Sequence, residues 1–195
     1  MVRKATVGDL DEIFSIYNKV KLDRTRLGDS SYAASIQRNG FLLGLDDRGT
    51  LEKELSSAYE FLVAEQETKI VGYLIADHAK EQKFYDDEYK TWFDLQVKDF
   101  YYQSPKGMSI ESVVIDPDYS RKGIADQLLQ SLERKLRNEF FEKLFSIVTI
   151  APVTNCPTIV WHTKNGFKRL AMGKPRERFF DLDWYSGVLL YKNLV

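Results

Sequence analysis

The chain has 195 residues, 44% of them hydrophobic and 29% charged, a globular composition that excludes a disordered or fibrous protein. With 28 Lys and Arg against 29 Asp and Glu the net charge is −1, so the cationic excess needed for sequence-independent phosphate contact is missing and no nucleic-acid partner is expected. One cysteine and two histidines, His78 and His162, exclude a disulfide framework and a Cys/His zinc constellation; a reducing compartment and no metal are expected.

The N-terminus, Met1-Val2-Arg3-Lys4-Ala5-Thr6, has no apolar signal region, and no uncharged stretch reaches the ~18 apolar residues of a membrane span, which predicts a cytoplasmic protein without a membrane partner. Val2 to Val7 reads as a strand, and Asp9 precedes Leu10, Ile13, Phe14, Tyr17 and Val20 at helical spacing. Leu22 to Arg48 is mixed, with glycines at 28, 40 and 44, and Leu51 to Tyr59 is a short helix. Phe61 to Ala64 and Ile70 to Ala76 flank a polar turn and predict an antiparallel pair. Tyr85, Tyr89, Trp92, Phe93 and Phe100 fall on a 3.6-residue stripe within Phe84 to Tyr102, so an aromatic-rich helical insertion is expected at about 78–107. That stripe is expected to serve as core, as a homodimer interface or as a surface for a ligand or partner.

Met108 to Ile115 is the next strand, stopped by Asp116-Pro117, and Ala125, Leu128, Leu129, Leu132 and Leu136 mark one face of a long helix. Leu144 to Ile150 is a buried-type strand closed by Pro152, and Pro157 sits at the start of a helix that Gly166 ends. Phe167 to Met172 and Gly187 to Tyr191 are the last strands, separated by a loop from Arg176 to Tyr185. No repeat, low-complexity tract or linker interrupts the chain, so residues 1–195 are expected to form one domain.

Chemistry concentrates in Pro117-Asp118-Tyr119-Ser120-Arg121-Lys122-Gly123-Ile124-Ala125, between strand and helix. A helix N-terminus offers unpaired N–H groups and partial positive charge, Gly123 permits close backbone approach, and Arg121 and Lys122 add cations, an arrangement that suits phosphate. A turn with solvated basic residues is the alternative. Strand alternation places Glu111, Val113 and Ile115 on one face, so Glu111 marks either a cleft or an exposed strand start. Cys156 and His162 suggest a thiol hydrolase, but six residues along a helix rotate about 600°, leaving them roughly 120° apart, so Cys156 is read as a small buried residue. Asp46-Asp47 and Asp86-Asp87-Glu88 lack calcium-loop spacing and read as solvated faces.

The order of elements, with Ser120-Arg121-Lys122-Gly123-Ile124-Ala125, Asn155 and Gly166-Phe167, resembles the GNAT superfamily of acyl-CoA-dependent N-acyltransferases. The glycine-loop motif of that family is Gln or Arg, two free positions, Gly, one free position, then Gly or Ala. Gly123 and Ala125 match it, Ser120 departs from it, and Arg121 supplies the cation. The resemblance implies an α/β (α+β) fold: a mixed, mostly antiparallel twisted sheet flanked by helices, with the helical insertion between its third and fourth strands. It implies acetyl-CoA as co-substrate, with Val113, Val114 and Ile115 beside the pantetheine arm, Arg121, Lys122, Gly123, Ile124, Ala125 and Asp126 around the pyrophosphate, and Asn155 opening the later helix.

By the same resemblance a backbone N–H near Val114 polarises the thioester and Glu111 accepts a proton from the amine. His162 stands where the family commonly has a Tyr and acts as general acid, or else is a helix histidine satisfied by its neighbours. The loop before the final strand borders the acceptor cleft in this family, so Asp181, Asp183 and Trp184 are expected to bind a cationic small-molecule amine, with cation–π contacts of roughly 0.5–2 kcal/mol each. Two further classes stay open: a non-catalytic acyl-CoA sensor, and an interaction protein that uses the aromatic insertion.

Overall fold

The computed structural model describes residues 1–44, 47–79, 100, 106–179 and 182–194. The expected aromatic helix, most of the insertion at about 78–107, Asp46, the cluster Asp86-Asp87-Glu88 and Asp181 lie outside them.

Eight strands form one sheet: β1 (Val2–Lys4), β2 (Glu60–Gln66), β3 (Lys69–His78), β4 (Gly107–Ile115), β5 (Lys143–Ala151), β6 (Lys168–Met172), β7 (Arg176–Phe179) and β8 (Leu182–Asn193). Their order is β1-β2-β3-β4-β5-β8-β6, with β7 on β8. All pairs are antiparallel except β4 with β5. The mixed, mostly antiparallel sheet matches the expected fold class.

The helices are α1 (Leu10–Val20), α2 (Ser30–Asn39), α3 (Arg48–Ser57), α4 (Ile124–Asn138) and α5 (Cys156–Lys164). Asp9 fixes the entry to α1: both carboxylate oxygens accept from the Arg3 guanidinium at 2.8 Å, which ties the helix to β1. That bidentate contact holds the Asp9 carboxyl down at about 2. Leu128, Leu129, Leu132 and Leu136 of α4 are fully buried against one sheet face, each contributing about 1.5–3 kcal/mol of burial. Helix α1 packs Leu10, Ile13, Ile16 and Tyr17 against β2, β3 and β4 in a second cluster.

Three local expectations change. The mixed segment contains α2, because its glycines delimit the helix instead of breaking it: Gly28 precedes the Asp29 cap, which accepts from the N–H of Ser31 and Tyr32, and Gly40 ends the helix at φ +85. The expected loop from Arg176 to Tyr185 is the hairpin of β7 and β8, with Arg176 opposite Tyr185 and Glu177 opposite Trp184. Its charged, exposed positions hide the pairing from a hydrophobic pattern. Cys156 is half-buried, not buried.

A bulge and a fork shape the centre of the sheet. Ile75 pairs with Ser112 and Ala76 with Ile110, so Glu111 is the extra residue. Met108 and Ile110 before the bulge and Val113 and Ile115 after it all pack into the same cluster, so the uninterrupted alternation expected through Glu111 is broken. Pairing of β4 with β5 runs only from Gly107↔Lys143 to Ile110↔Ser146, although β4 continues to Ile115 and β5 to Ala151. The two strands part just beyond.

Candidate functional site

A cavity of about 520 Å³ opens where β4 leaves β5. One wall is Val113, Val114 and Ile115 of β4; the next is the turn and loop from Tyr119 to Arg121, with Gly123 to Asp126 at the start of α4. The edge of β4 from Val113 to Ile115 has no β5 partner among the described residues and can pair with a ligand. Asp116 positions the turn: its carboxylate accepts from the Asp118 N–H and from Lys19 Nζ at 2.8 and 3.0 Å, which ties the turn to α1.

Gly123 caps α4 at φ +75, ψ 10, and a Cβ there would meet no protein atom within 4 Å. The conformation favours glycine, and the side-chain direction is open space. The first-turn N–H groups of Ile124, Ala125 and Asp126 have no partner within the helix. Arg121, itself at φ +61, lines the cavity, whereas Lys122 lies over the Tyr119 ring at 4.6 Å and is not in the lining. The structure therefore brings Val113, Val114, Ile115, Arg121, Gly123, Ile124, Ala125 and Asp126 together.

Helix α5 supplies the facing wall through Pro157, Val160, Trp161 and Lys164, a stripe with the three-to-four-residue spacing of one helix face. Asp126 fastens this wall to α4. Its Oδ1 accepts from Trp161 Nε1 at 2.8 Å and from Asn165 Nδ2 at 3.0 Å, while Oδ2 lies 3.8 Å from Lys164 Nζ. The hydrogen bonds from Asn165 and Trp161, with the Lys164 charge, hold the Asp126 carboxyl below the usual range against the opposing effect of burial.

Asn155 is buried and its side chain is occupied by protein: Nδ2 donates to the Phe41 carbonyl at 2.8 Å and Oδ1 accepts from Thr158 Oγ1 at 2.8 Å. It holds the segment Asn39 to Leu42, which lines the cavity, against α5. A Cβ on Gly40 would lie 3.4 Å from Asn155 Oδ1, so glycine suits this close approach as well as the positive φ. The sequence reading missed this segment and the outer face of α5. The Asn39-Gly40 pair, a helix-ending signal, was the available clue.

His162 falls on the other side of α5. It is 2% exposed, packed edge to face against Trp161 and Phe167, and not among the lining residues. Its Nδ1 lies 2.8 Å from the Thr158 carbonyl, which only accepts, so Nδ1 carries the proton, and Nε2 has no partner among the described residues. Burial pushes the imidazole down to about 4, despite the carbonyl that favours the charged ring. At pH 7 the ring is neutral, with no proton on Nε2 to give to a thiolate.

The stability consequence has a definite sign. The unfolded ring takes a proton near about 6.5 and the folded ring near 4, so stability is complete above about pH 6.5 and falls as the pH drops, with a slope of about 1.4 kcal/mol per unit. Asp9 and Asp29, held near 2, titrate lower. Urea midpoints measured from about pH 7 to 5 should decline in the wild type and stay flat in His162→Phe; equal slopes would contradict this placement.

Glu111 is half-buried at the bulge, one residue past the last β4–β5 rung at Ile110 and two residues short of the lining. Asp183 and Trp184 are exposed on β8, Trp184 at 48%, and neither lines the cavity. Among the described residues no group of three or more His, Cys, Asp or Glu is placed to hold a metal ion, and no helix is long and apolar enough to cross a membrane.

The family model described as acetyltransferase (GNAT) matches residues 32–167. No curated protein matches the chain by sequence. Among solved structures, the ribosomal-protein-S18-alanine N-acetyltransferase of Escherichia coli is similar at 13% identity, covering 100% of this chain and 93% of its own, with a TM-score of 0.65. A phosphinothricin acetyltransferase of the GNAT superfamily from Sinorhizobium meliloti, in complex with AcCoA, is 16% identical over 99% of this chain and 87% of its own, at 0.62. An N-acetyltransferase, PaiA, from Thermoplasma acidophilum, in complex with coenzyme A, is 16% identical over 99% and 98%, at 0.61. At these identities the likeness is one of fold.

Proposed function

Because the chain belongs to the acetyltransferase (GNAT) family, we propose that it binds acetyl-CoA in the cavity at the fork of β4 and β5 and transfers the acetyl group to a small-molecule amine. The observation that carries this reading is the coincidence of three features in one cavity: an unpaired strand edge, a glycine-capped helix N-terminus with Arg121 beside it, and open space where a Gly123 side chain would stand. A pyrophosphate suits the N–H groups and partial positive charge of α4, and an extended amide-bearing arm suits the free edge of Val113 to Ile115. Coenzyme A and AcCoA in the complexes of the two similar enzymes support the choice of ligand.

The transfer moves an acetyl group from a thioester to a neutral amine. An alkylamine of pKa ~10.4 is about 3.4 units from neutrality at pH 7, roughly 4.6 kcal/mol, whereas a thiol of pKa ~8.5 is only about 1.5 units away. Deprotonating the amine is the larger task. Glu111, at the bulge one residue past the last β4–β5 rung, takes that proton directly or through water, and backbone N–H groups on the edge of β4 from Val113 to Ile115 polarise the carbonyl. The thiolate, so close to its own pKa, is left to solvent, consistent with a neutral His162 outside the lining.

For the acceptor, Asp183 and Trp184, each exposed on β8, offer a carboxylate and an aromatic surface of the kinds that suit a cationic amine. A thiol-release screen with acetyl-CoA over mono-, di- and aromatic amines tests the function: release that depends on one amine class supports it, and release with none removes the catalytic reading. With the acceptor in hand, Asp183→Asn should raise its KM about two- to fivefold, the range for an exposed charge pair, and leave KM for acetyl-CoA unchanged. An unchanged acceptor KM would place the acceptor elsewhere.

A further inference from the structure

We infer that Lys164 is a phosphate-binding residue on the α5 wall, where the Asp126 carboxylate competes with the phosphate for its ammonium. The inference rests on acetyl-CoA binding in this cavity and adds a contact that the glycine loop does not provide.

Among the described residues three charged ones line the cavity: Arg121 on the loop, Asp126 on the first turn of α4, and Lys164 on the last turn of α5. Asp126 divides its two oxygens between different tasks. Oδ1 takes both hydrogen bonds, from Trp161 and Asn165, and so locks the two helices together. Among the described residues Oδ2 faces Lys164, at 3.8 Å, beyond hydrogen-bond distance. The Lys164 side chain is 74% exposed, so the ammonium stays beside the cavity with its three donors available for another anion.

The wall therefore carries a tethered point charge opposite Arg121. The rigid part of the tether is the indole of Trp161, which lies one helical turn before Lys164 and is fixed by Asp126. Two cations and a helix N-terminus against one carboxylate leave the cavity net positive, and a phosphate ester is the ligand class that fits. Coenzyme A offers two sources of that chemistry, its pyrophosphate and its 3′-phosphate.

The division of labour on Asp126 makes the test specific. Asp126→Asn keeps Oδ1 for Trp161 and Asn165 and removes the charge that faces Lys164. It should tighten coenzyme A binding about two- to threefold, by removing a like charge and freeing the lysine. Lys164→Gln, on an exposed helix position, should weaken it about three- to tenfold, with the loss shrinking as salt is raised.

The experiment is calorimetric titration of wild type, Lys164→Gln and Asp126→Asn with coenzyme A, 3′-dephospho-coenzyme A and pantetheine. Loss in Lys164→Gln confined to coenzyme A assigns the contact to the 3′-phosphate; loss with both nucleotides assigns it to the pyrophosphate; pantetheine should be indifferent. Unchanged affinity of Lys164→Gln for coenzyme A, where the wild type binds it, overturns this inference alone. A wild type that binds no coenzyme A overturns the acetyl-CoA reading and this inference with it.

Discussion

Gly123→Asp should abolish acetyl-CoA binding in a chain that still folds. Gly123 is in the left-handed region at φ +75, which Asp tolerates better than most residues, at an expected strain of about 1 kcal/mol. A Cβ there meets no protein atom within 4 Å, so the substitution disturbs no packing. The new carboxylate instead points into the space proposed for the pyrophosphate. Two like charges about 4 Å apart repel by about 1 kcal/mol in water and about 4 kcal/mol at the effective dielectric near a protein surface. With steric blockage added, the loss should exceed about a hundredfold in calorimetric affinity. Gly123→Asn, nearly the same shape without the charge, should lose less and so separate repulsion from bulk. An unchanged affinity with a cooperative thermal melt would remove pyrophosphate from this loop.

Glu111→Gln should lower kcat about 100- to 10,000-fold near neutral pH while acetyl-CoA affinity stays within about twofold. The size follows from the amine: near pH 7 only about one molecule in a few thousand is neutral, so losing the base exposes most of that deficit. The defect should shrink as the pH rises towards the acceptor pKa, because solvent then deprotonates the amine. A structural role for the bulged Glu111 would not produce that recovery. If kcat at neutral pH is retained, the proton goes to another group.

The glycine loop was legible because its logic is local: a strand stopped by Asp116-Pro117, a lone Gly123, and a helix whose leucines repeat every three or four residues. Val113, Val114, Ile115, Arg121, Gly123, Ile124, Ala125 and Asp126 consequently line one cavity, and Lys122 does not. The facing wall was not legible, because it depends on how α5 is rotated. Trp161 and His162 are adjacent and about 100° apart on the helix, so one lines the cavity and the other enters the core beside Phe167. Motif spacing marks the helix turn and leaves its rotation undetermined. Asn155, expected among the cofactor-binding residues, does not line the cavity; its amide is spent on Phe41, a lining residue more than a hundred positions away. The bulge at Glu111 has the same origin: it exists only in the register between β3 and β4, and no pattern within β4 announces it.

Amide hydrogen exchange of the wild-type protein, with and without saturating acetyl-CoA, tests the central claim at the atoms it names. If the first turn of α4 and its loop hold the pyrophosphate through backbone N–H groups, exchange should slow at residues 121–126, while the exposed end of α3 near Ser56 and Ser57 keeps its rate. Saturation with acetyl-CoA that leaves exchange at 121–126 unchanged would contradict the account.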